Sequence, residues 1–328
     1  MSGIPVIDLS PAHRGDLAER RRIAGQIDEA CREIGFFTIA GHGVADGVVR
    51  DLRETAHTFF ALSLEEKRRV VHPEPGTPRG YHALAGEALA RANDEEAPPD
   101  LKEFFHIGPV DTTGDVYYTG PRGRQFFLPN VWPARPPGFR EAATAYYRTM
   151  DRLVVLLMRL AALALGVEER FFDDKVSRSI GTMRLNYYPR QLAPPLPGQL
   201  RAGAHTDYGS ITILNGEDVP GGLQVRTRRG DWVDVHTPPE HFVINIGDLL
   251  MRWTNDRWLS NLHRVVNPPL AAGLNVPRLS IAFFNHPNYD VLIECIAPPG
   301  QARHQPVLSG DYRDTKYLKT GLKTTTVA

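Results

Sequence analysis

The 328-residue chain carries 38 basic and 38 acidic side chains, 12 His and 2 Cys. Balanced charge excludes a protein that tracks nucleic-acid phosphates, which needs a basic excess, and 42 % hydrophobic with 23 % charged residues excludes wholesale disorder. Cys31 and Cys295 cannot build a disulfide framework, and the N-terminal run lacks a basic stretch followed by an apolar one, so a reduced, cytoplasmic setting is expected.

Residues 4–9 alternate and are bounded by Pro5 and Ser10, which predicts a short strand. Residues 16–34 follow as a helix: Ile23, Ile27, Ala30 and Ile34 share one face, and Gly35 closes it. A β-prone run at 36–40 ends in Gly41-His42-Gly43, and helices are predicted over 46–62 and 64–70. Residues 72–99 are rich in Pro, Gly and Ala and read as a long surface connection with a short helix at 87–92. The strongest helix covers 138–167, with Tyr146, Met150, Leu153, Leu157 and Leu160 in a broad apolar stripe. Its most apolar stretch, 153–167, is broken by Arg159 and falls short of the roughly 20 residues a membrane span needs.

Beyond Ser179 the texture changes to short β-prone runs at 182–188, 211–214, 223–226, 232–235, 242–246, 261–266, 278–284 and 291–296. Gly, Pro, Asn and Asp punctuate them, as in a sandwich or jelly roll. The expectation is an α+β protein with a mainly β core, a jelly roll wrapped by helices. It is read as one domain over 1–328: a mainly helical part at 1–178, the core at 179–300 and a C-terminal segment at 301–328. The first half is expected to have no strand set of its own.

The sharpest local feature is His205-Thr206-Asp207. On a strand, residues i and i+2 point to one face, so an imidazole and a carboxylate could grip one divalent ion. A hydrogen-bonded surface pair would explain the same two residues. His263, on another predicted strand, supplies a third ligand, and two His with one carboxylate form the facial triad of non-haem Fe(II) oxygenases. His72 and Glu74 repeat the spacing, but in a Pro-rich loop that does not fix such geometry. Arg278 and Ser280 share a strand face 15 residues after His263 and suit a carboxylate, which a guanidinium grips through two parallel hydrogen bonds. Asn186 and Tyr188 likewise share a face. Alone, Arg278 is equally consistent with a surface salt bridge, and Asn186 with Tyr188 reads more readily as ordinary strand packing.

Together these residues are familiar. Asn-Tyr-Tyr-Pro at 186–189, His-Thr-Asp at 205–207, Gly-Gly-Leu-Gln-Val at 221–225, Asn-Ile-Gly-Asp at 245–248, Thr-Asn-Asp at 254–256, His-Arg-Val at 263–265 and Arg-Leu-Ser at 278–280 occur in order. With Ile-Pro-Val-Ile-Asp at 4–8, Gly-Phe-Phe at 35–37, Gly-His-Gly at 41–43 and Asp-Leu-Lys-Glu at 100–103, the chain resembles the isopenicillin N synthase-like family of Fe(II)/2-oxoglutarate-dependent dioxygenases over nearly its whole length.

The resemblance implies a double-stranded β-helix core. It implies His205, Asp207 and His263 as catalytic Fe(II) ligands. It implies Arg278 and Ser280 on the distal carboxylate of 2-oxoglutarate, assisted by Asn186 and Tyr188. It implies O₂ as co-substrate, succinate and CO₂ as products, and oxidation, foremost hydroxylation, of a small-molecule metabolite. Arg184, Phe284 and His286 are placed near the substrate, where Arg184 would anchor an anionic group if the substrate carries one, and Tyr81 and Phe105 at the mouth. The spacing from His263 to Arg278 is longer than in many plant members, with the excess at 268–276. Neither nucleic acid nor membrane is expected as a partner, and the oligomeric state stays open, a monomer included. Two alternatives remain: an Fe(II) oxidase of the isopenicillin N synthase type that needs no 2-oxoglutarate, and a non-catalytic binding protein of the same fold.

Overall fold

The computed structural model describes residues 3–74, 76–90, 97–270 and 274–320. Its strands are β1 (Val6–Asp8), β2 (Phe36–Ala40), β3 (Gly80–His82), β4 (Glu103–Ile107), β5 (Thr182–Tyr188), β6 (Ala202–His205), β7 (Ile211–Gly216), β8 (Leu223–Arg226), β9 (Trp232–Val235), β10 (Phe242–Ile246), β11 (His263–Val265), β12 (Arg278–Phe284), β13 (Leu292–Ile293) and β14 (Val307–Leu308). Its helices are α1 (Ser10–Arg14), α2 (Leu17–Glu33), α3 (Asp46–Phe60), α4 (Leu64–Arg68), α5 (Val116–Thr119), α6 (Pro121–Phe126), α7 (Phe139–Leu165), α8 (Asp248–Trp253) and α9 (Ser309–Thr320).

An eight-stranded sheet runs β1-β2-β10-β7-β12-β5-β4-β3, and a four-stranded sheet runs β6-β11-β8-β9. A small apolar cluster joins them from inside, with Phe36, Val243 and Tyr188 from the large sheet and Val225 and Val265 from the small one. This is the jelly roll. The large sheet's outer face carries the main core, where Met183, Leu185, Ile281 and Phe283 meet Tyr146, Met150 and Leu157 of α7. Covered on both faces, central strands such as β10 are buried at every residue and so read as nearly continuous apolar runs, broken in β10 by Asn245.

Local signals account for the helix ends. Asp16 caps α2 by accepting from the Glu19 N–H at 2.9 Å. At the other end Gly35 takes φ +74°, and a Cβ there would lie 2.1 Å from the Leu259 carbonyl oxygen, so only glycine allows the turn into β2. α7 ends at Gly166, φ +75°, and its predicted stripe is buried.

Two expectations are corrected. The first half supplies more strands than expected: besides β1 and β2, which the sequence predicts and which flank one side of the large sheet, β3 and β4 flank the other. The short helix expected at 87–92 starts later than predicted: residues 87 and 88 are irregular and Leu89–Ala90 form a 3-10 helical turn, while residues 91 and 92 lie outside the described residues. So do 321–328 of the C-terminal segment and 271–273 of the loop that lengthens the His263–Arg278 spacing.

β3 and β4 explain the fate of two predicted mouth residues. Side chains alternate across a strand, and Tyr81 and Phe105 are cross-strand partners on the outer face, in the main core. The Tyr81 hydroxyl donates to Glu103 Oε2 at 2.5 Å, and Lys67 Nζ donates to both Glu103 oxygens at 3.0 and 2.8 Å and to the Phe60 carbonyl at 3.1 Å. Both residues are structural, not part of the cavity wall. Lys67→Met, which strands a buried carboxylate, is expected to cost about 3–5 kcal/mol in urea unfolding. Tyr81→Phe, which leaves Glu103 paired, is expected to cost about 1–2 kcal/mol.

Candidate active site

β6 and β11 place the two histidines directly opposite each other, His205 against His263. Their rings lie 4.3 Å apart between centroids. Each uses Nδ1 on a backbone carbonyl: His205 on Gly203 at 2.8 Å and His263 on Asn261 at 3.1 Å. A backbone carbonyl only accepts, so Nδ1 carries the proton in both and Nε2 is left with its lone pair.

Asp207 lies just beyond the end of β6, not on the strand itself. Its Oδ1 faces His205 Nε2 at 3.9 Å and His263 Nε2 at 3.7 Å. Its Oδ2 accepts from Thr212 Oγ1 at 2.5 Å and Asn245 Nδ2 at 2.7 Å. Thr212 and Asn245 are cross-strand partners on β7 and β10, so two strands of the large sheet hold the carboxylate turned toward the small one. Burial acts to raise the Asp207 pKa, but His263, His205, Asn245 and Thr212 together hold it below the usual carboxylate value. Burial, then the adjacent His263, pushes the His205 pKa down, which favours the neutral imidazole a metal requires.

Backbone contacts lock this corner. The Asp248 N–H donates to the Asp207 carbonyl at 2.8 Å and the Leu249 N–H to Gly209 at 3.0 Å. A Cβ on Gly247 would lie 2.3 Å from the Gly209 oxygen, which explains the glycine in Asn-Ile-Gly-Asp. The ligand atoms of His205, Asp207 and His263 all lie within 4.8 Å of one another, close enough to share one ion. The donor set fits a divalent metal: two free Nε2 lone pairs and one free carboxylate oxygen, each oriented by an outer hydrogen bond.

The triad opens on a cavity between the sheets that is also lined by Arg278, Ser280, Asn186 and Tyr188. Arg278 pairs with Tyr188 and Ser280 with Asn186 across β12 and β5, so the register alone brings these four together. Arg278 is 1 % exposed, donates Nε to the Glu217 carbonyl at 3.1 Å and stands 5.6 Å from the Tyr188 ring centre. Among the described residues no carboxylate lies within ion-pair distance of it. Gly216 leaves room for it, since a Cβ there would lie 2.7 Å from the Arg278 guanidinium.

Arg184, Phe284 and His286 also line the cavity. Arg184, however, already has a carboxylate. Its Nη1 donates to both Glu87 oxygens at 3.1 and 3.0 Å, and Lys102 bridges Glu87 at 2.9 Å and Asp100 at 3.2 Å. The expected anionic anchor is therefore a compensated one. Sequence reading missed Glu87, Lys102, Thr212, Asn245, Tyr208 and Tyr317, which also line the cavity. Lys102 and Asn245 sit inside runs that carried the resemblance, and the inward alternation of β5, β7, β10 and β12 would have pointed to Thr212 and Asn245. His72 is half-buried and Glu74 exposed, and neither lines the cavity.

A jelly roll holding two histidines and one carboxylate at a buried cavity defines a facial-triad non-haem metal protein. Residues 4–135 match the family model of the non-haem dioxygenase N-terminal region in morphine synthesis, and residues 179–287 that of the 2OG-Fe(II) oxygenase superfamily. The chain is 36 % identical over 306 residues to the 2-oxoglutarate-Fe(II) type oxidoreductase hxnY of Emericella nidulans, covering 92 % of this chain and 84 % of that one. It is 31 % identical to the validamycin A dioxygenase of Streptomyces hygroscopicus subsp. limoneus, over 93 % of this chain and 83 % of that one. The crystal structure of a full-length Neurospora crassa protein in complex with alpha-KG and thymine superposes with a TM-score of 0.83 at 32 % identity, covering 96 % of both chains. The chain belongs to the 2OG-Fe(II) oxygenase superfamily and is a non-haem Fe(II)/2-oxoglutarate-dependent dioxygenase.

Asn245→Leu keeps the shape of its side chain but removes one of the two hydrogen bonds that clamp Asp207 Oδ2. It is expected to weaken Fe(II) binding about 10- to 100-fold in an anaerobic titration, with the fold intact by circular dichroism.

Proposed function

We propose that this enzyme hydroxylates a small-molecule metabolite, with His205, Asp207 and His263 holding the iron and Arg278 holding the distal carboxylate of 2-oxoglutarate. One observation carries the reading. Of the cations lining the cavity, Lys102 and Arg184 are paired with carboxylates, whereas Arg278 is not paired among the described residues. A buried guanidinium without a counter-ion is costly, and an incoming carboxylate relieves that cost through two parallel hydrogen bonds. Ser280 adds a hydroxyl beside it. Asn186, whose buried Oδ1 lacks a hydrogen-bond partner among the described residues, and Tyr188 complete that end of the cavity.

Iron, when bound, supplies the oxygen chemistry. The chain's own residues orient the two histidines and Asp207, fix the co-substrate and exclude water. Substrate binds at the end of the cavity lined by Arg184, Phe284 and His286. The relatives' differing small molecules support specialised metabolism as the setting. Strands β1 to β4 complete the sheet that carries the site, which supports 1–328 acting as one unit. No helix among the described residues is long and apolar enough to cross a membrane, and Cys31 and Cys295 are free. Both fit the cytoplasmic reading.

O₂ consumption and succinate formation measured with and without 2-oxoglutarate test the reaction. Both are expected to require it; substrate oxidation in its absence would favour the isopenicillin N synthase type. Arg278→Lys, which cannot grip both carboxylate oxygens at once, is expected to raise the KM for 2-oxoglutarate roughly 10- to 100-fold, the worth of a lost charged hydrogen bond.

A further inference from the structure

Resting on that reading, we propose that the substrate end of the cavity selects an uncharged, flat molecule bearing both a carbonyl and an N–H, a cyclic amide, and that Glu87 enforces this by neutralising Arg184.

Glu87 and Asp100 face Lys102 and Arg184, two carboxylates against two cations. All four are nearly inaccessible, at 8 %, 3 %, 3 % and 8 % exposed. Burial acts to raise the Glu87 pKa, but Arg184 and Lys102 bring it down to about 2, so this carboxylate stays ionised. Asp100 is spent on structure as well: its Oδ1 accepts from the Gly203 N–H at 3.0 Å and its Oδ2 from the Leu89 N–H at 3.3 Å. The other half of the cavity balances too. A divalent ion with Asp207, and a dicarboxylate with Arg278, sum to zero. A substrate carboxylate at Arg184 would meet Glu87, and a substrate cation at Glu87 would meet Arg184 and Lys102. Either brings an uncompensated charge into a buried site, where nothing offsets its desolvation.

What this end offers instead is neutral hydrogen bonding. Among the described residues, Arg184 Nε, Tyr208 Oη and His286 Nδ1 are buried and lack hydrogen-bond partners. Burial, then Arg313, pushes the His286 pKa down to about 3, so its ring is neutral. Arg184 Nε–H is a donor for a carbonyl, and Tyr208 Oη and a neutral His286 Nδ1 can accept an N–H. Arg184 is itself fixed, 4.5 Å from the Phe104 ring centre and 5.8 Å from that of Phe284. Phe284 presents an aromatic wall to a flat ligand.

The test is calorimetry on the wild-type protein held under nitrogen with Fe(II) and 2-oxoglutarate. The probes share one ring: uracil, uncharged; orotate, its carboxylate; and 5-(aminomethyl)uracil, its ammonium form. Uracil is expected to bind at least about 10-fold more tightly than either charged probe. Equal or tighter binding of a charged probe, or no binding of uracil, overturns the proposal while leaving the reaction class standing. Failure of the protein to take up 2-oxoglutarate in the same instrument overturns the underlying reading, and this proposal with it. Glu87→Gln, folded by circular dichroism, is expected to bind orotate at least 10-fold more tightly than the wild type does; unchanged orotate affinity would overturn the role given to Glu87.

Discussion

The Asp207 carboxylate is 6 % exposed and has two duties on two oxygens. Oδ2 belongs to the large sheet through Thr212 and Asn245, and Oδ1 faces two imidazoles carried by the small sheet. Much of the architecture satisfies this arrangement. β7 and β10 must pair so that Thr212 and Asn245 stand side by side. β6 and β11 must pair so that His205 faces His263. Gly209 and Gly247 must come close enough for the backbone bonds that anchor the corner. A one-residue slip in any of these strands would turn a polar side chain to the wrong face. Site and fold are thus specified by the same register.

Charge compensation divides the cavity in two. Among the described residues, Arg278 has no carboxylate partner, whereas the charges around Arg184 are paired. The first condition suits a co-substrate that brings negative charge each turnover. The second leaves substrate choice to shape and neutral hydrogen bonds, and a single side chain, Glu87, maintains it. A residue identified from sequence as an anionic anchor therefore changes role once its partner is visible.

The metal-binding half of the site was legible in the sequence because its residues sit on strands with clear period-2 spacing or in short runs. β5 and β12 run over the residues expected, and their pairing brings Asn186, Tyr188, Arg278 and Ser280 together. β3 and β4 were not legible. Phe104 and His106 face the interior of the roll while Phe105 and Ile107 face the main core, so no apolar–polar alternation survives. That is also why Tyr81 and Phe105 were assigned to the wrong side. Glu87 was invisible for a different reason: it lies in an irregular stretch, and its partner Arg184 is 97 positions away. Local periodicity carries no information about such a pair.

The central claim is that one oriented carboxylate and two Nε2 atoms form a single metal site that prepares the cavity for 2-oxoglutarate. Sequential anaerobic titration of metal-free protein, first with Fe(II) and then with 2-oxoglutarate, tests it most directly. The account predicts one Fe(II) and one 2-oxoglutarate per chain, with 2-oxoglutarate binding much more weakly when the metal is withheld. Failure to bind Fe(II), or 2-oxoglutarate binding equally well with and without metal, would contradict it.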